Sequence, residues 1–563
     1  MTQIFSVLWP EILLVTVGAL LLLLGVVQST AARRFAPVAA LASLFIIFIA
    51  FFTNSPLTQA SSDQWHTVSV FTFQEYVKLI TAGTGMLLVM LAWPTNADGT
   101  GNPAIQYGHE TGEFFGLMLL SLAGILFVAS ANDIIVLFLG IELASIPTYI
   151  MVSISRPLPV AQEAGVKYFF LGAMAAAVML FGFSYLYGTT GQTKLPQIAQ
   201  AMHLGGANHE WQLMAVIMLL AGFAFKIAAV PLHAYVGDVY QGAATPVTAF
   251  LAFVPKTSGF IAILKVLYYV GQVGDKHWIV PETIVKFLWV IAVLTMFTGN
   301  VLGLLQHNIK RTLAYSSIAH SGYMLAGVTA LVSTSDPSVQ AAALGGVLFY
   351  LASYGVMNAG AFGVLMLLPS RDSGIGGYLE PEVPGAPKVI AASGTSAETF
   401  DDIAGQGRKH LGLGIAMAVC CWSLTGLPLT VGFFGKFYLI KPIFEAGTGP
   451  IKHRMIWLGV LLVINAAISA AYYLRIIAAM FLRPEPARAP ARASTDPEET
   501  IDATGRIGRP WPIMIGVGLA VFGTLAFGVD FPAVNHLSNR AQAAQIEPSS
   551  LSPVTGPTVA SSR

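Results

Sequence analysis

The chain has 563 residues, of which 55% are hydrophobic and only 10% charged, and its mean hydropathy is +0.70. A soluble domain carries about 25% charged residues, so this composition excludes an ordinary water-soluble enzyme. A net charge of +1 gives no electrostatic footprint for nucleic acid.

Apolar runs of about 20 residues are long enough to cross a bilayer. Fourteen occur, at 6–27, 36–53, 76–94, 113–130, 132–154, 161–187, 211–231, 246–270, 283–303, 311–333, 340–368, 411–441, 455–482 and 511–529. They are continuous and lack a period of two, so they predict an all-α polytopic membrane protein, not a barrel. No Lys or Arg precedes the first run, which argues against a cleaved signal peptide; Arg33 and Arg34 follow it. Placing the N-terminus outside puts Arg156, Lys310, Arg311, Arg408 and Lys409 on inside loops with Arg33 and Arg34, and few basic residues outside. The positive-inside rule therefore predicts both termini on the outer side. Residues 370–410 and 483–510, rich in Gly, Pro and Ser or in Pro and charge, are expected to be flexible connections, and the tail after about 531 is polar. The adjacent Cys420 and Cys421 make no metal spacing and read as buried thiols.

A charge at mid-bilayer costs roughly 2.5–3.5 kcal/mol and marks an ion path or a buried pair. Glu142 stands about ten residues from either end of its run, ~15 Å of hydrocarbon each way. It must be protonated, paired or beside internal water. Lys256 is equally central. Lys226 and Lys436 share a Gly-Phe-x-x-Lys context, Gly222-Phe223 and Gly432-Phe433, although either could snorkel to an interface. Proline accompanies each lysine: Pro231, Pro255 and Pro428. Each predicts a broken or kinked helix whose freed carbonyls need partners, which lysine or trapped water can supply. Broken helices in corresponding halves of a transporter point to its ion site.

Glu163 and Lys167, four apart, form either a functional or a simple interfacial pair. His233 and His320 either relay protons or each satisfy a hydrogen bond in the core. Gly435-Lys436 is no phosphate loop, since Thr430 and Phe437 stand where that motif needs Gly and Ser or Thr.

Four stretches carry a resemblance: "LWPEILL" (Leu8–Leu14), "DVYQGAATPVTAFLAFVPKTSGF" (Asp238–Phe260), "IKRTLAYSSIAHSGYML" (Ile309–Leu325) and "LTGLPLTVGFFGKFYLI" (Leu424–Ile440). In this order they resemble the antiporter-like membrane subunits of respiratory complex I, the bacterial proton-pumping NADH:quinone oxidoreductase, over nearly all fourteen runs. The M-like branch carries glutamate where this chain has Lys436, and the L-like branch continues with extra helices, so the resemblance is to the N-like branch. Ala244 departs from it, standing where the family often has proline.

The resemblance implies three leading helices (1–112), two inverted five-helix repeats (113–270 and 283–482) and a last helix with polar flanks (483–563). It places Lys226 and Lys436 at matching positions of the two broken helices. It implies that Glu142 and Lys226 form a loading pair, Lys256 a central relay and Lys436 the exit half, with Lys167, His233 and His320 in supporting positions. It implies no cofactor in this chain; NADH, FMN, iron–sulfur clusters and quinone belong to partner subunits. The implied partners are M-like and small A-, J- and K-like membrane neighbours, the lateral helix of an L-like subunit, and lipid of the bacterial plasma membrane. A multisubunit cation/proton antiporter subunit and a passive membrane scaffold are the competing readings.

Overall fold

The computed structural model describes residues 2–27, 29–53, 72–96, 99–102, 104–156, 158–203, 209–273, 277–278, 280–368, 396–485 and 510–529. Most of the connections at 370–410 and 483–510, and the tail after 531, lie outside the described residues. The first three helices are α1 (Thr2–Gly25), α2 (Thr30–Thr53) and α3 (Thr72–Leu91). Then follow α4 (Thr111–Ser130), α5 (Ile134–Ile154), α6 (Pro159–Thr190), α7 (Leu195–His203), α8 (His209–Lys226), α9 (Val236–Gly242) and α10 (Thr245–Gly271). The second half contains α11 (Glu282–Leu304), α12 (Ile309–Val332), α13 (Pro337–Leu367), α14 (Phe400–Ile403), α15 (Gln406–Lys409), α16 (Leu411–Thr425), α17 (Val431–Glu445), α18 (Gly449–Phe481) and α19 (Trp511–Ala526).

Local chemistry sets several of these ends. Asp133 caps α5 by accepting from the Ile135 N–H at 2.8 Å, and Asn308 caps α12 by accepting from Arg311 N–H at 3.1 Å. Pro159 and Pro337 open α6 and α13, where a missing N–H costs nothing. Gly124 is where α4 and α5 touch: a Cβ there would lie 2.3 Å from the Ala144 backbone nitrogen. Small residues bring membrane helices together in this way.

Helices cover most of each of the fourteen apolar runs. Among the described residues, nine helices are long and apolar enough to cross a membrane. Five runs fall short: the run at 411–441 divides at Gly426–Thr430 into α16 and α17, α8 stops at Lys226, α19 has only 16 residues, and α3 and α12 carry a larger share of polar side chains than the nine. Leu20, Leu23, Phe45, Phe170 and Phe181 point outwards, as side chains bathed in lipid or partner do. By contrast, α10 is buried along its whole length, surrounded by α3, α4, α5, α8, α12 and α13.

Two expectations need correction. Pro255 neither breaks nor ends its helix, because α10 continues from Thr245 to Gly271 with neighbours on every side. The described part of the 370–410 connection, residues 396–410, is also packed, not loose. Ala397, Phe400 and Ile403 are buried, Thr399 and Asp402 make a capping box for α14, and Ile309 N–H donates to the Glu398 carbonyl at 2.8 Å.

Candidate proton-relay site

Glu142, Ser145 and Tyr149 stand at i, i+3 and i+7 on α5 and so share one face. That face meets Lys226, the last residue of α8. The Lys226 ammonium donates to Glu142 Oε1 at 3.1 Å, to Ser145 Oγ at 2.9 Å and to Tyr149 Oη at 3.2 Å. The lysine side chain is 1% exposed and the glutamate 16%, so snorkelling does not describe this lysine. Three acceptors match the three protons of an ammonium group.

Beyond Lys226 the chain leaves the helix until α9. Pro231 has no N–H to continue it, and Val230 N–H turns to Thr295 Oγ1 at 3.0 Å. The freed carbonyl of Ile227 accepts from Ser321 Oγ at 2.6 Å, so a serine of α12 supplies the partner, where lysine or water had been expected. The same Ser321 hydroxyl accepts from Lys256 Nζ at 2.9 Å, and Lys256 also donates to the Ser317 carbonyl. Ser321 thus joins the residue after Lys226 to Lys256. A small cavity with room for about one water lies between the two lysines, lined by Tyr168, Tyr235 and Tyr240.

On the far side of Lys256, the ammonium lies 5.6 Å from the centre of the Tyr354 ring. His320 is fully buried, with Nδ1 2.7 Å from Tyr350 Oη and Nε2 3.0 Å from Tyr473 Oη. Its ring lies 5.0 Å from that of Tyr354 and 5.4 Å from that of Tyr323, and Tyr323 in turn lies 5.0 Å beneath the Lys436 ammonium. Lys436 donates to the carbonyls of Leu424 at 3.0 Å and Thr425 at 2.7 Å. It therefore caps the C-terminal end of α16, where free carbonyls favour a cation. Gly426, at φ +89°, lets the chain turn there; a Cβ would lie 2.7 Å from Lys436 Cδ.

The two lysines of the repeated Gly-Phe-x-x-Lys context do not sit alike. The break follows Lys226 but precedes Lys436, since α17 starts only at Val431. Lys167 stands apart from the buried line. It pairs with Glu163 at 2.6 Å and Asp238 at 3.1 Å, all at least two-fifths exposed, and Asp238 also holds Arg311 at 2.7 Å. His233 is half-buried in the segment between α8 and α9, and its Nδ1 makes no hydrogen bond to the described residues.

Sequence reasoning missed the hydroxyls of Ser145, Tyr149, Ser321, Tyr350 and Tyr473. Only the i, i+4 pair Ser317 and Ser321 beside His320 offered a signal. It also missed the buried group in which Glu398 meets Arg156 at 2.5 Å and Lys310 at 3.2 Å. There burial pushes the Glu398 carboxyl up, but the Lys310 and Arg156 charges outweigh it and hold the carboxyl below its ordinary value. Among the described residues, no three His, Cys, Asp or Glu side chains converge as a metal site.

Residues 131–468 match the family described as NADH:quinone oxidoreductase/Mrp antiporter, TM. The NADH-quinone oxidoreductase subunit N of Trichlorobacter lovleyi is 35% identical over 485 residues, covering 85% of this chain and 88% of the relative. Subunit N 1 of Solibacter usitatus is 31% identical over 93% of this chain and 94% of the relative. Among solved structures, a chain of Thermus thermophilus respiratory complex I with bound aureothin superposes with a TM-score of 0.66 at 26% identity, over 92% of this chain and 96% of that one. A chain of the Mrp complex from a Dietzia species, at 19% identity and a TM-score of 0.69 over 95% and 97%, shares the fold. The chain belongs to the NADH:quinone oxidoreductase/Mrp antiporter family of membrane subunits, with the subunit N relatives of bacterial complex I.

Proposed function

We propose that this chain carries protons in the membrane arm of an NADH:quinone oxidoreductase, along a line from Glu142 and Lys226 through Lys256 and His320 to Lys436. The observation that carries the reading is the Ser321 bridge, whose hydroxyl touches both the Ile227 carbonyl beside Lys226 and the Lys256 ammonium. Buried lysines are otherwise costly, and here three of them follow one another through hydroxyls and rings with side chains almost wholly out of solvent.

The cycle turns on the Glu142–Lys226 pair. Breaking a buried ion pair costs about 3–5 kcal/mol, and moving one charge through ~180 mV costs about 4 kcal/mol. Opening and closing one pair is therefore of the right size to move one proton uphill. A change relayed from neighbouring subunits separates the pair; Lys226 then gives its proton to Lys256, across the one-water cavity and the Ser321 hydroxyl, and His320 and its tyrosines lead on to Lys436. The electrons come from NADH, FMN and iron–sulfur clusters in partner subunits and end on quinone.

The reading includes two inverted five-helix repeats over 113–270 and 283–482, both termini outside the bacterial plasma membrane, and contact with M-like, L-like and small A-, J- and K-like neighbours. Its test is the intact complex in proteoliposomes with Lys256→Met. NADH oxidation should translocate fewer protons per electron. A normal ratio with Lys226, Lys256 and Lys436 all neutralised would make the chain a scaffold.

A further inference from the structure

Nine residues separate Lys256 from Lys265 on α10, which turns them to opposite faces of the helix. Lys256 looks towards α12. Lys265, only 2% exposed, looks towards the leading helices and donates to the carbonyl of Ala131, just past the end of α4. Next to Ala131, the Ser130 hydroxyl lies 2.7 Å from Glu11 Oε1 on α1 and 2.7 Å from the Gln74 side-chain oxygen on α3. Glu11, wholly buried, holds the Lys78 ammonium at 2.8 Å, and Lys78 also donates to the Val7 carbonyl at 3.0 Å. Glu75, Asn132, Asp133 and Tyr269, whose hydroxyl donates to Asn132 Oδ1 at 3.3 Å, are also buried among the described residues. A second carboxylate and two more lysines are thus enclosed between α1, α3, α4 and α10, where the proton line above does not run.

A structural pin explains this poorly. Apolar side chains of equal volume hold helices together as well or better than a buried ion pair, and this cluster adds to the Glu11–Lys78 pair a second buried ammonium, Lys265, on the carbonyl of Ala131 next to Ser130. The Ser130 hydroxyl has one proton and two acceptors at equal distance, so with the Gln74 amide turned to donate it can pass a proton to Glu11 and be refilled.

We propose that Glu11, Lys78 and Lys265 form a second proton-handling site, through which α10 delivers protons to the end of the bundle where α1 and α3 begin. The step balances. A proton leaves the Lys265 ammonium and, by way of Ser130, protonates the Glu11 carboxylate, turning a cation and an anion into two neutral groups. Lys78, stripped of its counter-ion ~9 Å from the start of α3, releases its own proton to the aqueous phase. Glu11 then returns its proton to the Lys78 amine, and Lys265 is recharged from the relay. One proton enters at Lys265 and one leaves at Lys78.

This inference rests on the relay reading, so the experiment carries a comparison with Glu142→Gln. Intact complex is reconstituted with Glu11→Gln, which keeps the hydrogen bonds, or Lys265→Arg, which keeps the charge but does not give up a proton. Protons moved per NADH oxidised are then measured. Both variants should assemble and move fewer protons per NADH than the native complex, with a loss no larger than that of Glu142→Gln, since the branch to Lys436 stays open. Normal ratios in both, with Glu142→Gln impaired, overturn this proposal alone; normal ratios in all three overturn the relay as well. If the single variants do not assemble, the double variant Glu11→Gln, Lys78→Gln decides. An assembled double variant with reduced pumping supports the site, and one that pumps normally overturns it. Loss of assembly in every variant assigns the cluster to packing and overturns it too.

Discussion

Replacing Glu142 by glutamine keeps the shape of the side chain and removes its charge. In the native pair the Lys226 nitrogen lies 3.1 Å from Glu142 Oε1, and the lysine is 1% exposed. At that distance and an effective dielectric of ~20, the attraction is about 5 kcal/mol. Glu142 is 16% exposed, and Ser145 and Tyr149 still accept from Lys226, so the net loss lies nearer about 3 kcal/mol, the low end for breaking a buried pair. At 1.4 kcal/mol per tenfold, that is a factor of about 100 in the preference for keeping the Lys226 side chain against α5. That loss is most of the ~4 kcal/mol needed to lift one charge through ~180 mV. The assay is dye quenching by proteoliposomes energised with NADH, scaled to the rate of NADH oxidation and to the amount of assembled complex. The variant should assemble at near-normal levels and lose the share of pumping that passes through this subunit. An unchanged proton-to-electron ratio would remove the pair from the mechanism.

The remaining predictions concern the bridge and the Glu398 cluster. Ser321→Ala removes one hydrogen bond from Lys256 and leaves the Ile227 carbonyl unpartnered, a loss of about 1–3 kcal/mol; pumping should slow by about tenfold or more, while thermal stability falls only modestly. Glu398→Ala leaves Arg156 and Lys310 buried without their carboxylate, which should destabilise the solubilised protein by about 3–5 kcal/mol, read as a lower melting temperature. Because the Glu398 carboxyl is held below its ordinary value in the folded protein, its contribution is complete above about pH 5 and is lost as pH falls through the lower folded value. A melting-temperature profile with the same acid slope in Glu398→Gln as in the native chain would refute that assignment.

The intramembrane charges were legible because they are expensive: a glutamate ten residues deep in an apolar run has to be met by something, and Lys226 meets it. Proline was a less faithful guide. Pro231 and Pro428 stand where helices stop, but Pro255 lies inside α10, whose neighbours hold the backbone in place. The Gly-Phe-x-x-Lys repeat sets the spacing of small, aromatic and basic side chains, yet it says nothing about which side of a break the lysine takes. That depends on the distance to the next proline, ahead of Lys226 and behind Lys436. The partners on other helices follow from tertiary packing: no local pattern announces Ser145 or Tyr149, and Ser321 is marked only by its spacing from Ser317. The stretch 396–410 reads as a loop by composition, but Glu398 draws it down onto Arg156 and Lys310.

The enclosure of α10 bears on how the chain is built. α10 is long and apolar enough to cross the bilayer, but Lys256 and Lys265 make its solitary insertion dearer. Its stability comes from α12 and α13, which the ribosome makes later, together with α3, α4 and α5, which it makes earlier. Full enclosure of this helix therefore requires both flanks of the polypeptide, and the segment that carries Lys256 is shut off from water only in the finished bundle.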